Sequence, residues 1–214
     1  MITTFLRPPH SVGQIVADGI RVLGVLSLVA AFVWCGPVEV AVFALALLGL
    51  VVPRFLGIRA AFDIGFGLIV LIAAWSNVFD LYTRVPGWDI VIHFIANGLT
   101  AAVLYVLFIR LLSRDAGGGT TEFPSWAAIV LTTAFGLAAG VVWEFGEWVG
   151  HTYIDSAIFV NYDDTIGDLA AGALGAIVAG TVLRYLMAHN TSVDERSPGA
   201  SLSTRPRKAQ PQQS

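Results

Sequence analysis

The run IRVLGVLSLVAAFVWCGPVEVAVFALALLGLVV, Ile20 to Val52, decides the fold. Its only charged residues are Arg21 and Glu39, and its only break is Gly36-Pro37. An α-helix rises 1.5 Å per residue, so crossing a hydrocarbon core of about 30 Å takes roughly 20 apolar residues. Ile20–Gly36 approaches that length, Val38–Val52 is short, and Gly36-Pro37 reads as a tight turn between them. Whether the short run crosses the membrane sets the direction of every later segment.

Four further apolar runs follow, over Ala60–Tyr82, Trp88–Leu112, Ser125–Val149 and Ile166–Met187. Asp, Glu, Lys and Arg make up 13% of the chain and apolar residues 56%, against about 25% charged in soluble domains. Too little polar surface remains to coat a water-soluble globule, so lipid must solvate much of the molecule. The expectation is an all-α polytopic membrane protein, a bundle of about six transmembrane helices over residues 20–188. A cytoplasmic segment (1–19) precedes it and a cytoplasmic tail (189–214), rich in Ser, Pro and Gln and expected to be disordered, follows. Ser113–Pro124 (SRDAGGGTTEFP) is expected to be a flexible loop. A net charge of −3 without a basic stripe gives no reason for a nucleic-acid partner. The single cysteine, Cys35, excludes an internal disulfide. No Ala-x-Ala-like site follows the first apolar run, which reads as a retained helix.

Charge placement tests the short second run, because Lys and Arg collect on the cytoplasmic side of membrane spans. With six spans and the amino terminus inside, the cytoplasmic segments hold Arg7, Arg21, Arg54, Arg59, Arg110, Arg114, Arg184, Arg196, Arg205, Arg207 and Lys208; the outer segments hold only Arg84. Removing the second span would mix the two groups. Six spans in the inner membrane, with both termini cytoplasmic, is the expected topology.

The remaining polar residues then gather at the outer ends. Asn77 and Asp80 close the third run, Asp89, His93 and Asn97 open the fourth, and Glu144, Glu147 and His151 close the fifth. Asp163, Asp164 and Asp168 lead into the sixth. Asp89, His93 and Asn97 are spaced i, i+4, i+8 and share one helix face. Asp164 and Asp168 share a face with Gly172 and Gly175, small residues that let backbones approach, as do Gly136 and Gly140 below Glu144. His93 and Glu144 lie several residues inside their spans, where ionisable groups mark function by default. His93, Glu144, Glu147 and Asp168 form the expected metal-ligand set, with Glu144 and Glu147 as catalytic acid or base and Asp89 and Asp164 as further members of the cluster. Asp89 and Asp164 each have a plainer reading as first-turn acids that favour the helix dipole. His151 reads first as an interfacial histidine, and Asp63 as the partner of Arg59, its i−4 neighbour. The prediction is that His93, Glu144, Glu147 and Asp168 converge in one water-accessible pocket.

Asp89-x3-His93-Phe94, Glu144-x2-Glu147-Trp148 and Asp164-x3-Asp168 with Gly172 and Gly175, in that order, resemble the YjdF-like bacterial inner-membrane proteins. More distantly they resemble the VanZ-like family, associated with glycopeptide-antibiotic tolerance. VanZ-like proteins usually have Lys after the first Asp, where this chain has Ile90, and often Gln and Asn where it has Glu147 and Asp168. The extra acids favour the YjdF-like side. The resemblance, over roughly residues 75 to 187, implies a multi-pass fold and a shared polar motif, with no established reaction.

Three function classes fit. The first is a metal-binding or hydrolytic site for a divalent cation such as Zn or Mn, suited to N and O ligands, acting on an envelope or lipid-linked substrate. The second is a structural or accessory protein whose polar cluster ties helix ends together. The third is a proton-coupled transporter, disfavoured because no ionisable residue sits near the midplane, where such sites usually lie.

Overall fold

The computed structural model describes residues 2–115 and 123–187; most of the expected loop between the fourth and fifth spans, and the expected tail, lie outside the described residues. Among the described residues there are helices and no strand. Six helices are long and apolar enough to cross a membrane: Val12–Trp34, Pro37–Leu56, Ala60–Val78, Trp88–Ser113, Ser125–Tyr153 and Tyr162–Leu183. The chain is an all-α polytopic membrane protein.

The second span is not short. Pro37 stands in its first turn, where its missing N–H is no loss, and the Glu39 carboxylate accepts the Gly36 N–H at 2.9 Å. The helix continues past Val52 to Leu56 and stops where Gly57 takes a left-handed φ of 59°. Twenty residues then reach about 30 Å, a full crossing. The first span begins at Val12, capped by the Ser11 hydroxyl, which accepts the Gln14 N–H. The third ends at Val78 and not at Tyr82, because Asp80 turns the chain at a φ of +54°. Tyr82 falls in a separate short helix, Leu81–Arg84, and its hydroxyl donates back to the Ala73 carbonyl at 2.9 Å. The fifth span runs to Tyr153, and the sixth starts at Tyr162, which puts Asp163 and Asp164 in its first turn.

The first three spans pack on one another, as do the last three, and the fourth joins the halves by touching the second and third. Leu56, Phe62 and Phe66 meet Ala102, Val103, Tyr105 and Ile109 of the fourth span and Ala128, Ala179 and Leu183 of the last two in one buried cluster. The outside is apolar as well: Phe32 is 78% exposed and Val142 is 71% exposed. Large apolar groups facing outward from long helices are what a lipid solvent selects.

Short connections place the start of the first and third spans and the end of the second at one end of the bundle. There Arg21 Nη2 holds both oxygens of buried Asp63, at 2.6 and 2.7 Å, while its Nε donates to the Leu50 carbonyl and its Nη1 to Asp18. Arg54 adds a second bridge to Asp18 at 3.3 Å. This corrects the expected Asp63–Arg59 pair. Arg59 is the residue before the helix, with non-helical backbone, so the i−4 spacing does not align the two side chains. Arg84 is likewise taken by its neighbour Asp80, at 3.1 Å and largely exposed.

Candidate functional site

At the opposite end the third span finishes, the fourth starts, the fifth finishes and the sixth starts. The fourth span is not a uniform α-helix: His93–Asn97 forms one π-helical turn between Trp88–Ile92 and Gly98–Asp115. Such turns take an extra residue and recur at functional sites. Its surroundings supply a reason. A β-carbon on Gly175 of the sixth span would meet the Phe94 carbonyl oxygen, and one on Gly98 would lie 2.7 Å from the Gly175 carbonyl oxygen. The two backbones are in direct contact. The Asn97 amide fills the space beside Gly172 and lies 3.1 Å from where a Gly140 β-carbon would stand, so it bridges the last three spans.

The crossing brings three side chains together. His93 Nε2 lies 3.3 Å from Asp89 Oδ1 on its own helix and 4.0 Å from Asp168 Oδ2 on the sixth. One ligand atom from each of Asp89, His93 and Asp168 lies within 4.8 Å of the other two. Asp168 is 2% exposed, and its Oδ1 is buried without a hydrogen-bond partner. Leaving such an oxygen unsatisfied is costly, so its position needs an explanation. A divalent cation would provide one. Tetrahedral ligands about 2.0–2.1 Å from an ion lie roughly 3.4 Å apart; the His93–Asp89 separation of 3.3 Å is close to that, and the His93–Asp168 separation of 4.0 Å is wider. One imidazole and two carboxylates leave a further position open, as catalytic rather than structural sites do.

The expected four-residue set is therefore brought together only in part. His93 and Asp168 meet, and Asp89, assigned from sequence to the wider cluster, joins them. Glu144 and Glu147 fall outside the group of three. Glu147 accepts a hydrogen bond from Trp143 Nε1 at 2.9 Å, one turn back on its own helix. Glu144 lines a groove of about 410 Å³ between the fifth and sixth spans, with Val141, Phe145, Trp148, Val160, Asn161, Tyr162, Thr165 and Leu169. Its Oε1 is also buried without a partner. Both glutamates remain within electrostatic reach of His93. Asp164 stands in the same field, near Asp89 and His93.

His151 serves the loop: its Nδ1 donates to the Ile158 carbonyl at 2.6 Å, holding the connection between the fifth and sixth spans. Sequence reasoning missed three supporting side chains. Trp88 Nε1 donates to Ser76 Oγ at 2.9 Å, and Ser76 in turn donates to the Ile72 carbonyl, which fastens the start of the fourth span to the third. Tyr82 sits where burial, then Asp89, Glu147 and Asp168, push its phenol above the ordinary range. The phenol therefore stays protonated and keeps donating to Ala73.

A family model described as predicted membrane protein (DUF2238) matches residues 18–189. The chain belongs to this family. The YjdF-like resemblance points to the same DUF2238 proteins, whereas the more distant VanZ-like likeness receives no support. No curated protein and no solved structure matches the chain. The match takes in most of the first span and the whole of the other five, and its description names no activity.

Proposed function

We propose that Asp89, His93 and Asp168 hold a divalent cation, Zn or Mn, at the extracytoplasmic end of the bundle, in a hydrolytic site for an envelope or lipid-linked substrate. The observation that carries this reading is the approach of Asp89 Oδ1 and Asp168 Oδ2 to one imidazole from two helices, with Asp168 buried and its other oxygen, Oδ1, without a partner. A bound divalent cation supplies Lewis-acid polarisation and acidifies water. Within the protein, Asp89 and His93 would offer ligand atoms from the fourth span and Asp168 one from the sixth. Glu144, which lines the neighbouring groove, is the carboxylate we assign to exchange a proton with a reacting group. Glu147, tied to Trp143, is the second. The orientation rests on the arginines at the opposite end, Arg7, Arg21, Arg54 and Arg59.

The 3.3 Å approach of His93 to Asp89 also favours a second reading, in which the cluster only ties helix ends together. A carrier role is disfavoured by depth: Asp168 is six residues into its helix, roughly 9 Å by the helical rise, and not at the midplane. Titration calorimetry of the detergent-purified, metal-stripped protein with Zn and with Mn separates the first two. One equivalent bound, with affinity lowered at least about a hundredfold in His93→Ala and Asp168→Asn, supports the cation site. No binding, with variants that merely melt earlier, supports helix tying.

A further inference from the structure

The groove beside the cation site has its own chemistry. Val141, Phe145, Trp148, Val160 and Leu169 give it apolar walls, and it lies between two helices whose outward faces meet lipid. Phe145 is 62% exposed and Val141 53% exposed, so the groove opens sideways from the bundle. Glu144 is the one charged residue among those that line it. One of its oxygens, Oε1, is buried without a partner. No Lys or Arg lines the groove, and the next charge in reach besides His93 is another acid. Such a wall repels an unpaired anion and favours a cation that can donate hydrogen bonds.

We propose that this groove binds an aminophospholipid, its primary ammonium donating to the Glu144 carboxylate that lines the groove and its acyl chain lying along Val141, Phe145 and Leu169. Three features of the occupant follow. The apolar walls call for a hydrocarbon chain, and the position between lipid-facing helices makes the bilayer its source. The Glu144 carboxylate, with no Lys or Arg in the lining, calls for a cationic donor, which a primary ammonium is and a quaternary one is not. Glycerol head groups can donate but carry an uncompensated phosphate, which Glu144 opposes. Asn161, Tyr162 and Thr165 also line the groove, and their amide and hydroxyl groups suit the zwitterion's phosphate. This proposal goes beyond the cation site and does not depend on it.

The test uses the full chain in nanodiscs made from mixtures of phosphatidylethanolamine, phosphatidylcholine and phosphatidylglycerol. Retained lipid is counted by native mass spectrometry after delipidation. The expected result is phosphatidylethanolamine retained over phosphatidylcholine by about tenfold, the scale of one charge-assisted hydrogen bond, with phosphatidylglycerol weakest. Glu144→Gln should abolish the preference while His93→Ala keeps it, so a failed cation site and a failed lipid site give different outcomes. Val141→Trp, which fills the groove from its exposed side, should lower retention of every lipid alike and checks that the groove is the place. Equal retention of the ethanolamine and choline lipids, or an unchanged preference in Glu144→Gln, would overturn the proposal.

Discussion

The carbonyl of Phe94 rests against the α-carbon of Gly175, where the fourth and sixth spans cross and where no residue with a β-carbon fits. His93 leads into that crossing and Asp168 lies two turns above it on the partner helix, so one backbone contact sets the separation of two candidate ligands. In a lipid solvent, close backbone approach of this kind is a main source of helix association.

Gly175→Ala should therefore push the two helices apart. Overpacking typically costs about 1–3 kcal/mol, and a collision with backbone belongs at the upper end. Gly146→Ala is the control, since nothing lies within 4 Å of its β-carbon and alanine is the better helix former by about 1 kcal/mol. Thermal melting in detergent should fall for the first and hold or rise for the second, with metal uptake lost only in the first.

At the other end, Arg21→Met leaves the Asp63 carboxylate buried without its bidentate partner. Removing one member of a buried pair costs about 3–5 kcal/mol. The double variant Arg21→Met/Asp63→Leu should recover most of that loss in a denaturation cycle. Metal binding should survive in whatever fraction stays folded, because the two polar sets occupy opposite ends.

Tyr82 gives a pH signature. Its phenol is raised in the folded chain by burial and by the nearby acids, so folding favours the protonated form. The stability this adds is complete below about pH 10, the value of a free phenol, and is lost as pH rises beyond it. Tyr82→Phe should be less stable at neutral pH by about 1 kcal/mol for the missing bond to Ala73. Its stability should then fall less steeply in alkali. Parallel slopes for the two proteins would remove Tyr82 from the site's surroundings.

Most of the architecture is legible in the sequence, because the membrane imposes its thickness on every span and positive charges sort by side. The acids, the histidine and the small residues beneath them are legible too, since helical spacing puts Asp164, Asp168, Gly172 and Gly175 on one face. What is not legible is partner choice across the bundle. Local spacing paired Asp63 with Arg59, but a side chain from the first span reaches it, and only tertiary packing decides that. Matched depth and helix-face spacing group the glutamates with His93, but neither says which partner each side chain takes. The Trp143-x3-Glu147 spacing offered a local partner that takes up one of them. The π turn was hidden because its cause, glycines at Gly98, Gly172 and Gly175, lies on two different helices.

The orientation is open to labelling. In a Cys35→Ser background, Ser156→Cys in the exposed connection after the fifth span should react with a membrane-impermeant maleimide added to intact cells. Protection in intact cells and reaction only after lysis would place the acidic end in the cytoplasm.

The central claim is that Asp89, His93 and Asp168 share one cation, and X-ray absorption at the zinc edge of the loaded protein addresses it directly. The expected spectrum has a single imidazole and oxygen ligands at about 2.0–2.1 Å, with the imidazole contribution absent in His93→Ala and an oxygen ligand absent in Asp168→Asn. A spectrum of oxygen ligands alone, unchanged by either substitution, would contradict it.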